Sequence, residues 1–132
     1  LVPGLLVYRY DSPLFFANAE DFLTRALLAV EQADPRCDWF VLNAEANVEV
    51  DLTSVDILET LRAALAGRGI RFALARVKFE LRQQLQAAGC VQQVGEGFIF
   101  ATLPTAVAAY ADWYQRTRGE RPPGVPAQRG QG

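Results

Sequence analysis

Histidine is missing from all 132 residues of this chain. Its absence removes the usual general base at neutral pH and the commonest metal ligand. Cysteine is scarce: Cys37 and Cys90 lie far apart, without zinc spacing and too few for a disulfide framework, so a reducing setting is expected. Neither sign of charge dominates, since 13 Lys and Arg stand against 15 Asp and Glu, a net charge of -2. That balance gives no case for nucleic acid or an acidic membrane surface as the main partner. No run reaches the roughly 18 apolar residues of a membrane span, and no Gly-x-x-x-x-Gly-Lys-Ser/Thr phosphate loop occurs. Gly95-Glu96-Gly97 lacks the third glycine of a dinucleotide fingerprint, with Phe100 in its place, and reads as a turn. The start, Leu1-Val2-Pro3-Gly4, is neither a signal peptide nor an initiator Met, so a piece of a longer protein is expected.

What is present is apolar patterning, at 51% hydrophobic residues, enough for one domain burying about two-thirds of its unfolded surface. Leu5 to Tyr10 reads as a first strand closed by the turn Asp11-Ser12-Pro13, and Leu14-Phe15-Phe16 as a short second strand forming a hairpin with it. Asn18 stands where an N-cap belongs, and Phe22, Leu23, Ala26, Leu27 and Val30 follow at helical spacing over Ala19 to Gln32. Pro35 breaks that helix. Trp39 to Ala44 reads as a buried strand, and a second helix from Thr53 presents Val55, Ile57, Leu58, Leu61 and Leu65 on one face, with Glu59 and Arg62 able to pair, until Gly67 and Gly69 end it. Ile70 to Ala75 is a further strand, Phe79 to Ala88 a third helix, Phe98-Ile99-Phe100 a last strand, and Ala106 to Arg116 a fourth helix started near Pro104 and Thr105. Strands alternating with helices predict an α/β fold around a mostly parallel sheet, with about four α-helices. The segment 118–132 is rich in Pro and Gly and is expected to be a disordered tail beyond a domain of residues 1–117.

No catalytic residue or metal site emerges. Glu45, Glu49, Asp51 and Asp56 cluster, but nothing apolar beside them would shift their pKa values, so a solvated loop is expected. Arg71, Arg76, Lys78 and Arg82 form a modest basic group; Arg76 and Lys78, at the carboxyl end of a strand, are within reach of a phosphate. The concentrated signal is Asp51-Leu52-Thr53-Ser54-Val55, at a junction from strand to helix. Asp51 or Thr53 caps the helix there, the amides of Thr53 and Ser54 suit a phosphate, and the Thr53 hydroxyl is a phosphorylation candidate. Tyr110, Trp113 and Tyr114 make an aromatic stripe that packs on its own core or serves as a docking surface.

At Asp51-Leu52-Thr53-Ser54-Val55 the chain resembles the STAS domains of sulfate transporters and anti-sigma factor antagonists, whose core loop runs Asp-Ser-Ser/Thr-Gly-Leu. Asp51, Thr53 and Val55 match; Leu52 and Ser54 depart. A second run, Tyr8-Arg9 followed by Pro13-Leu14-Phe15-Phe16-Ala17-Asn18-Ala19, is similar to the opening of the STAS domain in bacterial SulP-type anion permeases. The resemblance implies the STAS-like, anti-sigma factor antagonist-like fold over about Pro3 to Tyr114. It implies a non-enzymatic regulatory domain on the cytoplasmic side of a sulfate or related anion transporter. Its partners would be the membrane domain of the same polypeptide, a second copy, or a cytoplasmic regulatory protein. No cofactor is expected; some members of the family bind GTP or ATP, which makes a guanine nucleotide a candidate ligand, with Thr53, Ser54, Arg76 and Lys78 as candidate phosphate contacts. The alternative is a free-standing anti-sigma factor antagonist switched by phosphorylation of Thr53.

Overall fold

A computed structural model describes residues 2–9, 19–33, 36–44 and 52–123, with backbone alone at 19 and 52–54. Three strands, β1 (Leu5–Arg9), β2 (Trp39–Asn43) and β3 (Arg71–Ala75), form a parallel sheet in the order β1-β2-β3. Val7, Val41 and Ala73 stand abreast in the register. Helices α1 (Ala19–Glu31) and α2 (Leu52–Gly67) make the crossovers. After β3 come α3 (Phe79–Ala87), a short α4 (Cys90–Val94) and the long α5 (Leu103–Arg118).

Every residue of β2 is buried, as expected of a central parallel strand covered on both faces. Side chains alternate between the faces. Phe40, Leu42, Phe72 and Leu74 join Phe22 of α1, Leu61 and Leu65 of α2 and Leu85 of α3 in the larger core. Val41, Ala73 and Ala75 face Ala106 of α5 in a smaller one, where small side chains let the helix lie close to the sheet. Truncating a fully buried Leu such as Leu61 to Ala would cost about 2–5 kcal/mol.

The expected parallel α/β architecture is present, with differences at its margins. Phe98-Ile99-Phe100 does not make a strand. Gly95, at φ 102°, leads into a 3₁₀ turn at Glu96–Phe98, and Ile99 alone of the three bridges to Leu74. Phe98 turns to pack on Trp39 instead of extending the ladder. Gly89 does end α3, but at φ 80° it also opens α4, a fifth helix, which buries Cys90, Val91 and Val94. Helix α5 begins before Ala106, because Thr102 caps it by accepting from the Thr105 amide at 3.2 Å. The predicted tail starts too early: Arg118 closes α5, Gly119 ends it at φ 83°, and Pro122 is buried. The predicted hairpin strand Leu14-Phe15-Phe16 and the Asn18 cap lie outside the described residues, as do residues 124–132.

Candidate functional site

In an open parallel sheet the carboxyl ends of the strands are the usual place for ligands, because helix N-termini gather there. At this end β1 finishes with Arg9, β2 with the buried Asn43, and β3 with Ala75. The chain then turns sharply. Arg76 takes φ 59°, the one left-handed residue other than glycine among those described, and stands exposed. A side chain in this conformation costs about 1–2 kcal/mol. Val77 drops back into the core, its amide donating to the Phe100 carbonyl at 3.1 Å. Lys78 follows in an extended conformation at the start of α3, with no side-chain cap, and Phe79 is 69% exposed.

Helix α2 opens at this same end, since it follows β2, and Leu52, Thr53 and Ser54 are its first three residues. The topology therefore brings the backbone of Thr53 and Ser54 to the edge that carries Arg76 and Lys78. The cap at Asp51, the side chains of Thr53 and Ser54, and the carboxylates Glu45 and Glu49 lie outside the described residues. Asp56 is exposed on α2, and among the described residues no group of acidic and sulfur side chains has a metal-binding arrangement. The basic group read from sequence is divided by the fold. Arg71 opens β3, at the opposite end of the strand from Arg76, and Arg82 approaches Glu96 at 3.8 Å. Arg9 and Asn43 went unnoticed in sequence, although their position as last strand residue was the available signal.

At the amino-terminal end of the sheet a side-chain lock ties α5 to the chain around Pro3 and Asp38. Tyr110 of α5 is fully buried and its hydroxyl donates to the Pro3 carbonyl at 2.6 Å and to Asp38 Oδ2 at 3.3 Å. Arg118 pairs with the same Asp38 oxygen at 3.1 Å and lies over the Tyr114 ring. Burial, with the Asp38 charge beside it, pushes the Tyr110 hydroxyl well above its ordinary pKa. Gly4, at φ 83°, supplies its carbonyl to the amides of Asp38 and Trp39. A Cβ there would collide with Tyr110 Oη and Asp38 Oδ2, so only glycine fits. Of the aromatic stripe Tyr110 is core, while Trp113 and Tyr114 are half-buried; Tyr110 and Trp113 both pack on Trp39.

Neither thiol is reactive in this setting. Burial raises the Cys37 pKa to about 11 and pushes that of Cys90 up as well. Glu59 and Arg62 pair at 2.8 Å as their spacing predicts, and the hydrogen bond from Arg62 lowers the Glu59 pKa. Among the described residues no helix is long and apolar enough to cross a membrane.

A family model described as "STAS domain" matches residues 1–106. Over 109 residues the chain is 62% identical to a "Probable sulfate transporter Rv1739c" of Mycobacterium tuberculosis, covering 83% of this chain and 20% of that protein. It therefore spans about a fifth of that relative's length. Among solved structures, the STAS domain of a SulP transporter from Vibrio cholerae superposes with a TM-score of 0.71 at 25% identity, covering 86% of this chain and 85% of that one. A sulfate transporter family protein from Wolinella succinogenes shares the fold with a TM-score of 0.72 at 24% identity, covering 88% and 92%.

Proposed function

The chain belongs to the STAS domain family, and from that premise we propose that it is the cytoplasmic regulatory and interaction domain of a SulP-type sulfate or related anion permease. The observation that carries this reading is the 62% identity to one stretch of a probable sulfate transporter, a stretch that makes up 20% of that protein. The domain itself moves no anion. It works by contact, with the membrane domain of the same polypeptide as first partner.

The contact surface in this proposal is the carboxyl end of the sheet. The first amides of α2, including those of Thr53 and Ser54, lack partners within the helix and carry the positive end of its dipole. Arg76 and Lys78, exposed at the end of β3, add two cations. Together these groups suit the phosphates of a guanine nucleotide or an anionic patch on a partner. A phosphate added at Thr53 would bring about -1.5 to -2 charges to the same edge and change which partner it accepts. Transport is then regulated by what occupies the edge.

Two measurements test the proposal. A SulP sulfate transporter with this chain grafted in place of its own STAS domain should retain sulfate uptake that the deleted transporter lacks. A graft no better than the deletion, at equal abundance in the membrane, overturns the transporter assignment. For the ligand, titration of the isolated chain with GTP should shift the amides of residues 52–55 and 76–78; shifts confined to the opposite end of the sheet would refute the placement.

A further inference from the structure

The amino-terminal end of the sheet holds a cleft of about 360 Å³ that the reading above does not use. It opens between the starts of β2 and β3, the last turns of α2, α4 and α5. Trp39, Trp113 and Phe98 form its apolar walls, and Arg71, Arg62 and Gln93 its polar ones. The volume falls within the range of small-ligand sites, about 300–1,000 Å³.

The charges around it are unequally committed. Arg62 is held by Glu59, and Asp38 is held by Arg118 and Tyr110. Among the described residues Arg71 has no carboxylate partner. Its guanidinium rests on the face of Phe98, 4.2 Å from the ring centre, a contact that uses none of its five N–H donors. Arg71 is exposed, whereas Trp39 beside it is 4% exposed. An arginine positioned by an aromatic ring, near the half-buried Trp113 and the rim of Trp39, offers a bidentate grip for one anionic group and an aromatic surface for an apolar body. The carboxyl end of α2 borders the cleft, but its Leu65 and Ala66 carbonyls already accept from Arg68, Gly69 and Ile70, so its negative end is largely satisfied.

We propose that this cleft binds a small organic anion, a carboxylate borne on a ring-sized apolar body, with Arg71 gripping the carboxylate and Trp39 and Trp113 contacting the ring. The site lies at the other end of the sheet from the proposed nucleotide edge, so either assignment can fail without the other. Both tryptophans of the chain line it, which makes intrinsic fluorescence a direct readout.

Benzoate, its uncharged isostere benzamide, and inorganic sulfate serve as probes against the whole chain. Benzoate should change tryptophan emission saturably, benzamide should bind about tenfold more weakly or worse, and sulfate should not compete at equal concentration. Arg71→Ala should weaken benzoate about tenfold or more at unchanged circular dichroism, and Arg71→Lys should recover part of that loss. In the unaltered protein, nuclear Overhauser contacts should join the benzoate ring protons to the indoles of Trp39 and Trp113, a readout that needs no variant. Equal binding of benzoate and benzamide, displacement by sulfate, indifference to Arg71→Ala, or absence of the indole contacts would each overturn the proposal.

Discussion

At its amino-terminal end the sheet is tied to α5 by Tyr110, Asp38, Arg118 and the stacked Trp39 and Trp113, while at its carboxyl end Arg76, Lys78 and Phe79 stand outward. At the first end Tyr110, Asp38 and Arg118 are spent on one another, and Arg71 beside them stays exposed. The other carries three exposed side chains. In a parallel sheet this division has a topological origin, because every crossover helix begins at the carboxyl end and leaves its first amides there. Cohesion gathers at the end with fewer open amides. The proposed function assigns recognition to the end that has them.

The comparison predicts unequal responses to the same change. Trp39→Ala should remove about 3–5 kcal/mol of stability, as for other buried aromatic residues, whereas Phe79→Ala, at 69% exposure, should change it by about 0.5 kcal/mol or less. Urea unfolding followed by circular dichroism measures both, and similar losses at the two ends would break the contrast.

A smaller effect is expected at high pH, and it also arises from the amino-terminal end. Cys37 and Tyr110 both hold their protons more tightly folded than unfolded. The stability they contribute is therefore fully present below the unfolded pKa values and is lost as pH rises beyond them. Between pH 9.0 and about 11 the Cys37 shift alone should remove about 2 kcal/mol. Unfolding midpoints measured across this range should fall, and Cys37→Ala should flatten the early part of the decline.

The smallest expected change has the opposite sign. Arg76→Gly places glycine where φ is 59° and should leave stability unchanged or raise it by about 0.5 kcal/mol, since the relief of left-handed strain exceeds the entropy cost of glycine. The same variant should weaken whatever anion the carboxyl end accepts. A marked loss of stability would show that Arg76 belongs to the cohesive set.

How much of this was legible in the sequence depends on the range of the interactions involved. Local periodicity located β2, α1 and α2, because Trp39 to Leu42 is a continuous apolar run and Leu58, Leu61 and Leu65 repeat at helical spacing. The run Phe98-Ile99-Phe100 looked like a strand by composition, but long-range packing of Phe98 on Trp39 and Arg71 decided otherwise. The lock of Pro3, Gly4, Asp38 and Tyr110 joins residues up to 107 positions apart and leaves no local pattern. Pro122 was read as tail from its Pro and Gly neighbours, yet it is buried. Arg76 and Lys78 were assigned to the carboxyl end by their place after a strand alone. The grouping of Arg71 with them failed because a five-residue strand carries its two termini to opposite ends of the sheet.

The proposed role of the carboxyl end as the surface that regulates transport is open to a direct test. In a SulP transporter carrying this domain, sulfate uptake should be compared between Arg76→Glu with Lys78→Glu and the control Arg116→Glu near the end of α5. The account predicts that the double reversal lowers uptake about fivefold or more at equal abundance in the membrane, while the control leaves it unchanged. Unchanged uptake in the double variant, or an equal fall in the control, would contradict it.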